Sequence, residues 1–444
     1  MKAHSVGLYF LLLSMCAPAL SAQQQESTSP WSLQQCIDTG LKRNLDVQRA
    51  RNQVESSSTY RTSAYGEFLP SVNASGTWVR SDENQIRIRP DGLVESRDSW
   101  SYGVNAGLTI FDGMRNFNTV DKSLLDYEAS QHFATRTTQS VVFMIQQAYF
   151  NTLRLRELTR VQEANVERSN KQLELIREMN RVGSVPLADV YKQEVQVGSD
   201  RLSLLDARNS YQNALVDMQA LLGLEPRMDF TIADAQSEQE ITPGDIARWH
   251  SDLGDFPSLV DEAAKARADY RERELSLLSA EKGISIARSG HYPVLSAFAQ
   301  YNWSNLELKD FTVYDRFSYG LSLDVPIFAG FQVSTAVQRS EIAVREIGLQ
   351  RDQLRRTIAT EILKAMNNLE TAGVNVEIAA TKLISAREDH RIATERYNLG
   401  SGTLLDLITA AAGLRLAESD VINARFNYLT AQRGMEFQLG RTQY

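Results

Sequence analysis

Cysteine is nearly absent from the chain: there are two in 444 residues, Cys16 and Cys36. Cys16 lies in an N-terminal leader, so the mature chain keeps one thiol and no internal disulfide is open to it. Cys36 shares a helical face with Leu33, Ile37, Leu41 and Leu45, which reads as a small buried apolar residue with no general base beside it in sequence. The five histidines, His4, His132, His250, His291 and His390, are scattered without metal-ligand spacing, and the methionines do not cluster. Gly400-Ser401-Gly402 lacks the lysine of a phosphate loop, and no nucleophile elbow is present. Catalysis, a cofactor and a metal therefore have no footing in the sequence, and the expectation is a protein that is not an enzyme. The net charge of −8 and pI near 5.4 argue against nucleic acid as a partner. Beyond the leader, no apolar run reaches the roughly 20 residues of a membrane-spanning helix.

The leader itself has Lys2, an apolar run from Val6 to Met15, and the small-residue site Ala19-Leu20-Ser21-Ala22. Residues 1–22 thus read as a secretory signal peptide, too short to span a membrane. Lipid attachment at Cys16 is the competing reading; the bulky Met15 before it fits that poorly, and ordinary cleavage is preferred. An exported chain with neither disulfides nor membrane helices must draw its stability from long helices, β-pairing or oligomerisation.

What the chain does have is a repeat. Met179-Asn180-Arg181-Val182-Gly183-Ser184-Val185-Pro186-Leu187-Ala188-Asp189 shares its layout with the stretch from Tyr397 to Asp406, 217 positions on. The same offset relates Tyr211 to Tyr428, Gly223 to Gly440, Gly113 to Gly330, and Trp100-Ser101-Tyr102-Gly103 to Phe317-Ser318-Tyr319-Gly320. One unit is written twice, at 23–223 and 257–444, which predicts near-twofold symmetry within the protomer. Between them an acidic stretch, 224–256, is broken by Pro226 and Pro243 and reads as an irregular linker outside the main body.

Each unit begins with a helix. Ser32-Leu33-Gln34-Gln35 is a capping box, and Pro257-Ser258-Leu259-Val260-Asp261 opens the counterpart. Pro70 and Pro293 end these helices, and the period then changes from 3.6 to 2. Val72, Ala74, Gly76 and Trp78 alternate with small polar residues, and Trp100, Tyr102, Val104, Ala106, Leu108 and Ile110 do so on the return. The second unit repeats this with Leu295, Ala297, Ala299, Tyr301 and Trp303, then Phe317, Tyr319, Leu321, Leu323, Val325 and Ile327. The two hairpins are placed at 70–110 and 293–328, with charged loops at Ser81–Asp98 and Ser304–Arg316. A half-buried soluble sheet shows the same alternation. Trp78, Trp100, Trp303 and Phe317, all at the loop-side ends, favour a lipid-facing barrel with an aromatic girdle.

Long helical runs follow at 114–182 and 331–399; the first contains neither glycine nor proline. A continuous helix of that length reaches about 100 Å, so these are coiled-coil-like rods. Each meets a glycine turn and returns as a second helix, 187–222 and 404–439. Four strands cannot close a barrel, and open edges in lipid leave backbone groups unpaired. Two copies give 8 strands and a filled interior, whereas three give 12 and a lumen. Copies must therefore share one barrel in an α+β membrane protein, and the rods continue its bore into the periplasm.

These features resemble the TolC-type outer-membrane exit ducts, and the likeness covers essentially the whole mature chain. It is carried by Val182-Gly183-Ser184 and Leu399-Gly400-Ser401, by Asn423-Ala424-Arg425-Phe426-Asn427-Tyr428-Leu429 with Leu439-Gly440, and by the hairpin exits Ile110-Phe111-Asp112-Gly113 and Ile327-Phe328-Ala329-Gly330. The resemblance implies a homotrimer with a long antiparallel α-helical barrel in the periplasm and four β-strands per chain contributing to a 12-stranded trimeric outer-membrane β-barrel. It further implies docking on a periplasmic adaptor (membrane fusion) protein and an inner-membrane pump of resistance-nodulation-division or ABC type. It also implies an acidic ring of Asp406 at the periplasmic entrance, with Thr409 one turn later; Thr403-Leu404-Leu405-Asp406 is equally a capping box. The family often carries a second acid and a basic residue where this chain has Thr409 and Gly402. Asp189, in the outer hairpin, is read as a helix cap, and Val182, Gly183, Ser184, Leu399, Gly400 and Ser401 as adaptor-contacting tips. Tyr211, Tyr428, Ala207 and Ala424 are expected between helices. Small-molecule efflux is the expected activity. A type I protein-secretion duct and a non-transporting coiled-coil adhesin or envelope spacer are the alternatives.

Overall fold

The structure is a computed structural model that describes residues 30–89, 92–233, 242–311 and 314–442. The signal peptide, Cys16, part of the linker and the tip of the first hairpin lie outside the described residues. The described residues form nine α-helices, one short 3-10 turn (Ser289–His291) and four strands: α1 (Leu33–Arg43), α2 (Leu45–Gly66), β1 (Ser71–Arg89), β2 (Gly92–Phe111), α3 (Arg115–Arg181), α4 (Leu187–Leu221), α5 (Pro243–Asp252), α6 (Phe256–Ala266), α7 (Ala268–Arg288), β3 (Val294–Asn305), β4 (Asp315–Asp324), α8 (Gln332–Asn398) and α9 (Leu404–Gln438).

The opening helix of each unit is broken, which the periodicity did not reveal. Asn44 separates α1 from α2 in an extended conformation and accepts from the amides of Asp46 and Val47. Arg267, also extended, separates α6 from α7 but makes no side-chain cap bond to α7. The acidic linker is also less irregular than expected, because Thr242 and Asp245 form a capping box that starts α5. Trp31 and Ile232 pair as an isolated parallel bridge.

Α single antiparallel sheet runs in the order β1-β2-β3-β4, leaving β1 and β4 as open edges. Its registers align one apolar face across all four strands: Ala74, Val104, Tyr301 and Phe317 form one row, Val72, Ala106, Ala299 and Tyr319 the next. The opposite face carries rows such as Asn73, Asn105, Gln300 and Ser318. The first hairpin departs from expectation, since Ser81–Asp98 is not a loop. Pairing continues from Gln85↔Ser96 to Arg89↔Gly92 after an irregularity between Arg80 and Gln85. In the second hairpin β4 stops at Asp324, so Val325 and Ile327 lie beyond the strand. The 217-residue offset holds downstream of the hairpin tips. Upstream it is 223, as Asn44 and Arg267 or Pro70 and Pro293 show, because the first hairpin is six residues longer.

The helices form two rows that share α3 and α8. Near the sheet the order is α2-α3-α7-α8; toward the glycine turns it is α4-α3-α9-α8. The cores repeat with the chain. Around α1, Cys36, Ile145, Met218 and Leu222 are buried together; around α6, Leu259, Ile362, Met435 and Leu439 take the same places. Cys36 is thus a core residue, and burial pushes its thiol up to about 12.

Candidate functional site

The far end of the rods, where α3 turns into α4 and α8 into α9, carries most of the residues singled out above. Both turns use one backbone device. Gly183 and Gly400 adopt the left-handed conformation, at φ 79° and 72°. The amides of Gly183 and Ser184 bond the carbonyls of Asn180 and Met179, and those of Gly400 and Ser401 bond Tyr397 and Arg396. This is the Schellman arrangement, which satisfies carbonyls a helix end would otherwise leave bare. Val182 and Leu399 project from the tips, 65% and 82% exposed.

Asp406 sits in the first turn of α9. Its carboxylate accepts from the Thr403 amide at 3.1 Å and the Thr403 hydroxyl at 2.8 Å, while Thr403 Oγ1 caps the Asp406 amide at 3.1 Å. These bonds hold the carboxyl below the usual carboxylate range. Asp406 and Thr409 both lie exposed, three residues apart on one side of α9. Gly402 closes the turn tightly: a Cβ there would approach Arg396 Cβ to 3.1 Å and the Tyr397 amide to 3.2 Å.

Asp189 does not close a capping box. Pro186 is the N-cap of α4 and supplies no side-chain bond, and the Asp189 carboxylate faces Lys192 at 3.5 Å. It also lies toward Tyr397, whose phenol is pushed up by burial and then by the Asp189 charge. Tyr397 joins Ile176, Val190, Leu404 and Leu407 in a small core that binds the two helical hairpins together near the turns.

Above this core lie polar ties that sequence reasoning missed. Asp200 on α4, 1% exposed, accepts from Arg415 of α9 at 3.1 Å and from Gln196 at 2.9 Å. Arg168 of α3 forks onto Glu418 of α9 at 2.9 and 3.4 Å, and Arg154 reaches Asn423 at 3.0 Å. Burial and the Arg168 charge push the neighbouring His390 imidazole down. The available signal was Asp200 itself, a carboxylate on the buried stripe Val190, Gln193 and Val197. A charge at such a place is rarely tolerated without a partner.

At the other end, Trp78 and Trp100 lie side by side with ring centroids 5.9 Å apart, and Trp78 and Phe317 are more than half exposed. Trp303 differs from the exposed girdle position expected for it. It is 1% exposed, stacks on Tyr102 at 5.1 Å, packs on Phe311 at 4.9 Å, and donates Nε1–H to the Asp310 carbonyl at 3.0 Å. The loop after β3 folds over it. Tyr428 and Ala424 are buried and Tyr211 is half-buried, all between helices.

A sheet with one continuous apolar face and two open edges, prolonged by helical rods about 100 Å long, defines a class of outer-membrane channel components that extend into the periplasm. The chain belongs to the outer membrane efflux protein family, whose sequence model matches residues 36–224 and 259–441. The two matched stretches correspond to the two repeats. The outer membrane protein TolC of Escherichia coli (strain K12) is 23% identical over 68% of this chain and 62% of its own length. The pyoverdine export outer membrane protein OpmQ of Pseudomonas aeruginosa is 22% identical over 92% of this chain and 85% of its own. Among solved structures, the Campylobacter jejuni CmeC outer membrane channel superposes with a TM-score of 0.77 at 19% identity, over 93% of this chain and 87% of that one.

Proposed function

We propose that three copies of this chain form a passive exit duct that docks on a periplasmic adaptor and an inner-membrane pump and expels small molecules across the outer membrane. The observation that carries this reading is the pair of open flanks. Among the described residues the sheet ends in β1 and β4, each paired on one side, and the helical rows end in α8 on one side and α2 or α4 on the other. Each chain is therefore one segment of a closed wall, and in lipid an unpaired strand edge costs several kcal/mol per backbone group. Twelve strands leave a lumen that eight do not. The exposed tips Val182, Gly183, Ser184, Leu399, Gly400 and Ser401 are the adaptor-facing surface, and Asp406 with Thr409 lines the entrance. Small molecules are preferred as cargo because OpmQ is named for the export of pyoverdine.

Single-channel recording tests this directly. The purified protein should conduct in a planar bilayer and run as a trimer by native mass; a protein that inserts but passes no ions is a spacer rather than a duct. Asp406→Ala should relieve block by multivalent cations added on the entrance side, and an unchanged block leaves Asp406 only its capping role.

A further inference from the structure

A recess of about 1170 Å³ lies between α2 and α7, over one face of α3, with Phe437 of α9 in its lining. Tyr60 of α2 and Phe133 and Met144 of α3 line it as well, and they are 72%, 50% and 37% exposed. Phe437 stacks on Phe143 with ring centroids 5.0 Å apart, and the Arg136 guanidinium lies 3.9 Å over its ring. Open rings that converge on a concave space suit a small ligand better than a core.

The second repeat supplies the control. Offsets of 217 and 223 relate Phe133, Met144, Phe437 and Tyr60 to Gln350, Glu361, Ala220 and Gly283. A groove left only by the packing of duplicated helices would carry the same lining twice. The aromatic lining belongs to one repeat alone.

The other side of α3 shows where the recess opens. Ile145, Tyr149 and Leu153 pack into the core with α1, while Phe133, Ser140 and Met144 stand on the opposite face. On the trimeric reading above, which a place in the bore presupposes, α2, α3, α7 and α8 of three copies make a ring of twelve helices. With axes about 10 Å apart, such a ring encloses a bore about 14 Å in radius. The short helices α1, α5 and α6 of three copies would plug that space, so they lie outside and the recess opens inward.

The charges of the lining are matched. Asp46 meets Arg49 at 3.2 Å, Arg136 meets Asp269 at 3.6 Å, Glu272 meets Arg273 at 3.8 Å, and Asp126 meets Lys122 at 2.6 Å. Paired in this way they impose no net charge on an occupant, and the exposed rings do the selecting. We propose that the recess is a bore-facing binding site for uncharged, planar aromatic molecules, one per chain, held by Tyr60, Phe133 and Met144.

Equilibrium dialysis of coumarin, an uncharged planar probe, against the full chain in lipid nanodiscs tests this, with empty discs as the blank. Coumarin should bind saturably at one per chain, with the same affinity in low and high salt. Tyr60→Ala and Phe133→Ala should each weaken binding about tenfold. Both side chains are at least half exposed, so neither change removes a core residue. Phe328→Ala, which removes a 77% exposed ring outside the recess, should leave binding unchanged. Uptake no greater than in empty discs, or uptake that Tyr60→Ala and Phe133→Ala leave intact, overturns the site. Binding that high salt abolishes overturns the uncharged class. If the same preparation conducts in a planar bilayer while failing to bind, the site is lost and the duct reading stands; binding without conduction keeps the site and removes it from a bore.

Discussion

The two repeats have the same helical skeleton and different fittings. Helices α3 and α8 are both 67 residues long, and α4 and α9 are both 35. Six of the positive-φ glycines fall in pairs, Gly113 with Gly330, Gly183 with Gly400 and Gly223 with Gly440, and Gly92 at the longer hairpin stands alone. The non-glycine Met114 and Phe331 share that conformation at the strand-to-helix joins. The hairpins and the helix breaks diverge: strands of 19 and 20 residues in the first unit stand against 12 and 10 in the second. At the break, Asn44 reaches the Leu221 carbonyl at 2.9 Å. Arg267, 3% exposed, instead bonds Asp269 at 2.7 Å, Glu361 at 2.6 Å and Gln438 at 3.1 Å. Backbone geometry was kept because rods and turns must superpose to build one wall. Side-chain chemistry at the breaks had only to satisfy its own buried atoms.

The sharpest way to break this comparison is at those two breaks. Arg267→Ala takes the buried cation from Glu361 and leaves Asp269 only Arg136, at 3.6 Å, and should cost about 3–5 kcal/mol. Asn44→Ala removes a cap and one bond and should cost about 1–2 kcal/mol. Urea unfolding followed by circular dichroism compares them; equal losses would show that the break geometry, not its filling, holds the repeats.

The hairpins come next. Trp303→Ala empties a buried site and should cost roughly 3–5 kcal/mol. Trp78→Ala removes a half-exposed ring and should cost clearly less. Indole emission sharpens the contrast, since brominated lipid should dim Trp78 and spare Trp303; equal quenching would place both rings in the lipid belt.

A smaller effect separates the two ends of the rods. Gly183→Ala and Gly223→Ala both force a left-handed alanine, at about 1–2 kcal/mol. Gly223 should cost more, because its Cβ would lie 2.7 Å from the Arg43 carbonyl oxygen while Gly183 faces open space. Matched thermal melts decide this, and equal shifts would remove the crowding argument.

The smallest effect is a matter of pH. The carboxyl of Asp406 titrates below its ordinary value because Thr403 bonds the charged form. Its contribution is therefore complete above the ordinary carboxylate pKa and is lost only as pH falls through the lowered value. In Thr403→Ala the carboxyl should titrate nearer its ordinary value. Cation block from the entrance side should then fade at a higher pH than in the unaltered protein, and identical profiles would dissociate the cap from the entrance charge.

Much of this was legible from residue order. The strand faces followed from alternation, the turns from Gly183 and Gly400, and the Asp406 capping box from Thr403-Leu404-Leu405-Asp406. The breaks at Asn44 and Arg267 were not, because a residue in extended conformation between two helices interrupts the periodicity by only one position. Ser81–Asp98 was misread because polar composition signals contact with water, and paired strands above a membrane meet that condition as well as loops do. The fate of Trp303 depended on Asp310 and Phe311, which a later loop brings over it.

By itself, the order of residues determined the periods, the turns and the duplication, since each depends on side chains within a few positions of one another or on a fixed offset. Only the folded arrangement decided which carboxylate meets which guanidinium, as with Asp200 and Arg415, and which apolar stripes stay exposed. Those contacts join residues some two hundred positions apart. Their energy depends on burial and on separation in space, and neither is written in local pattern.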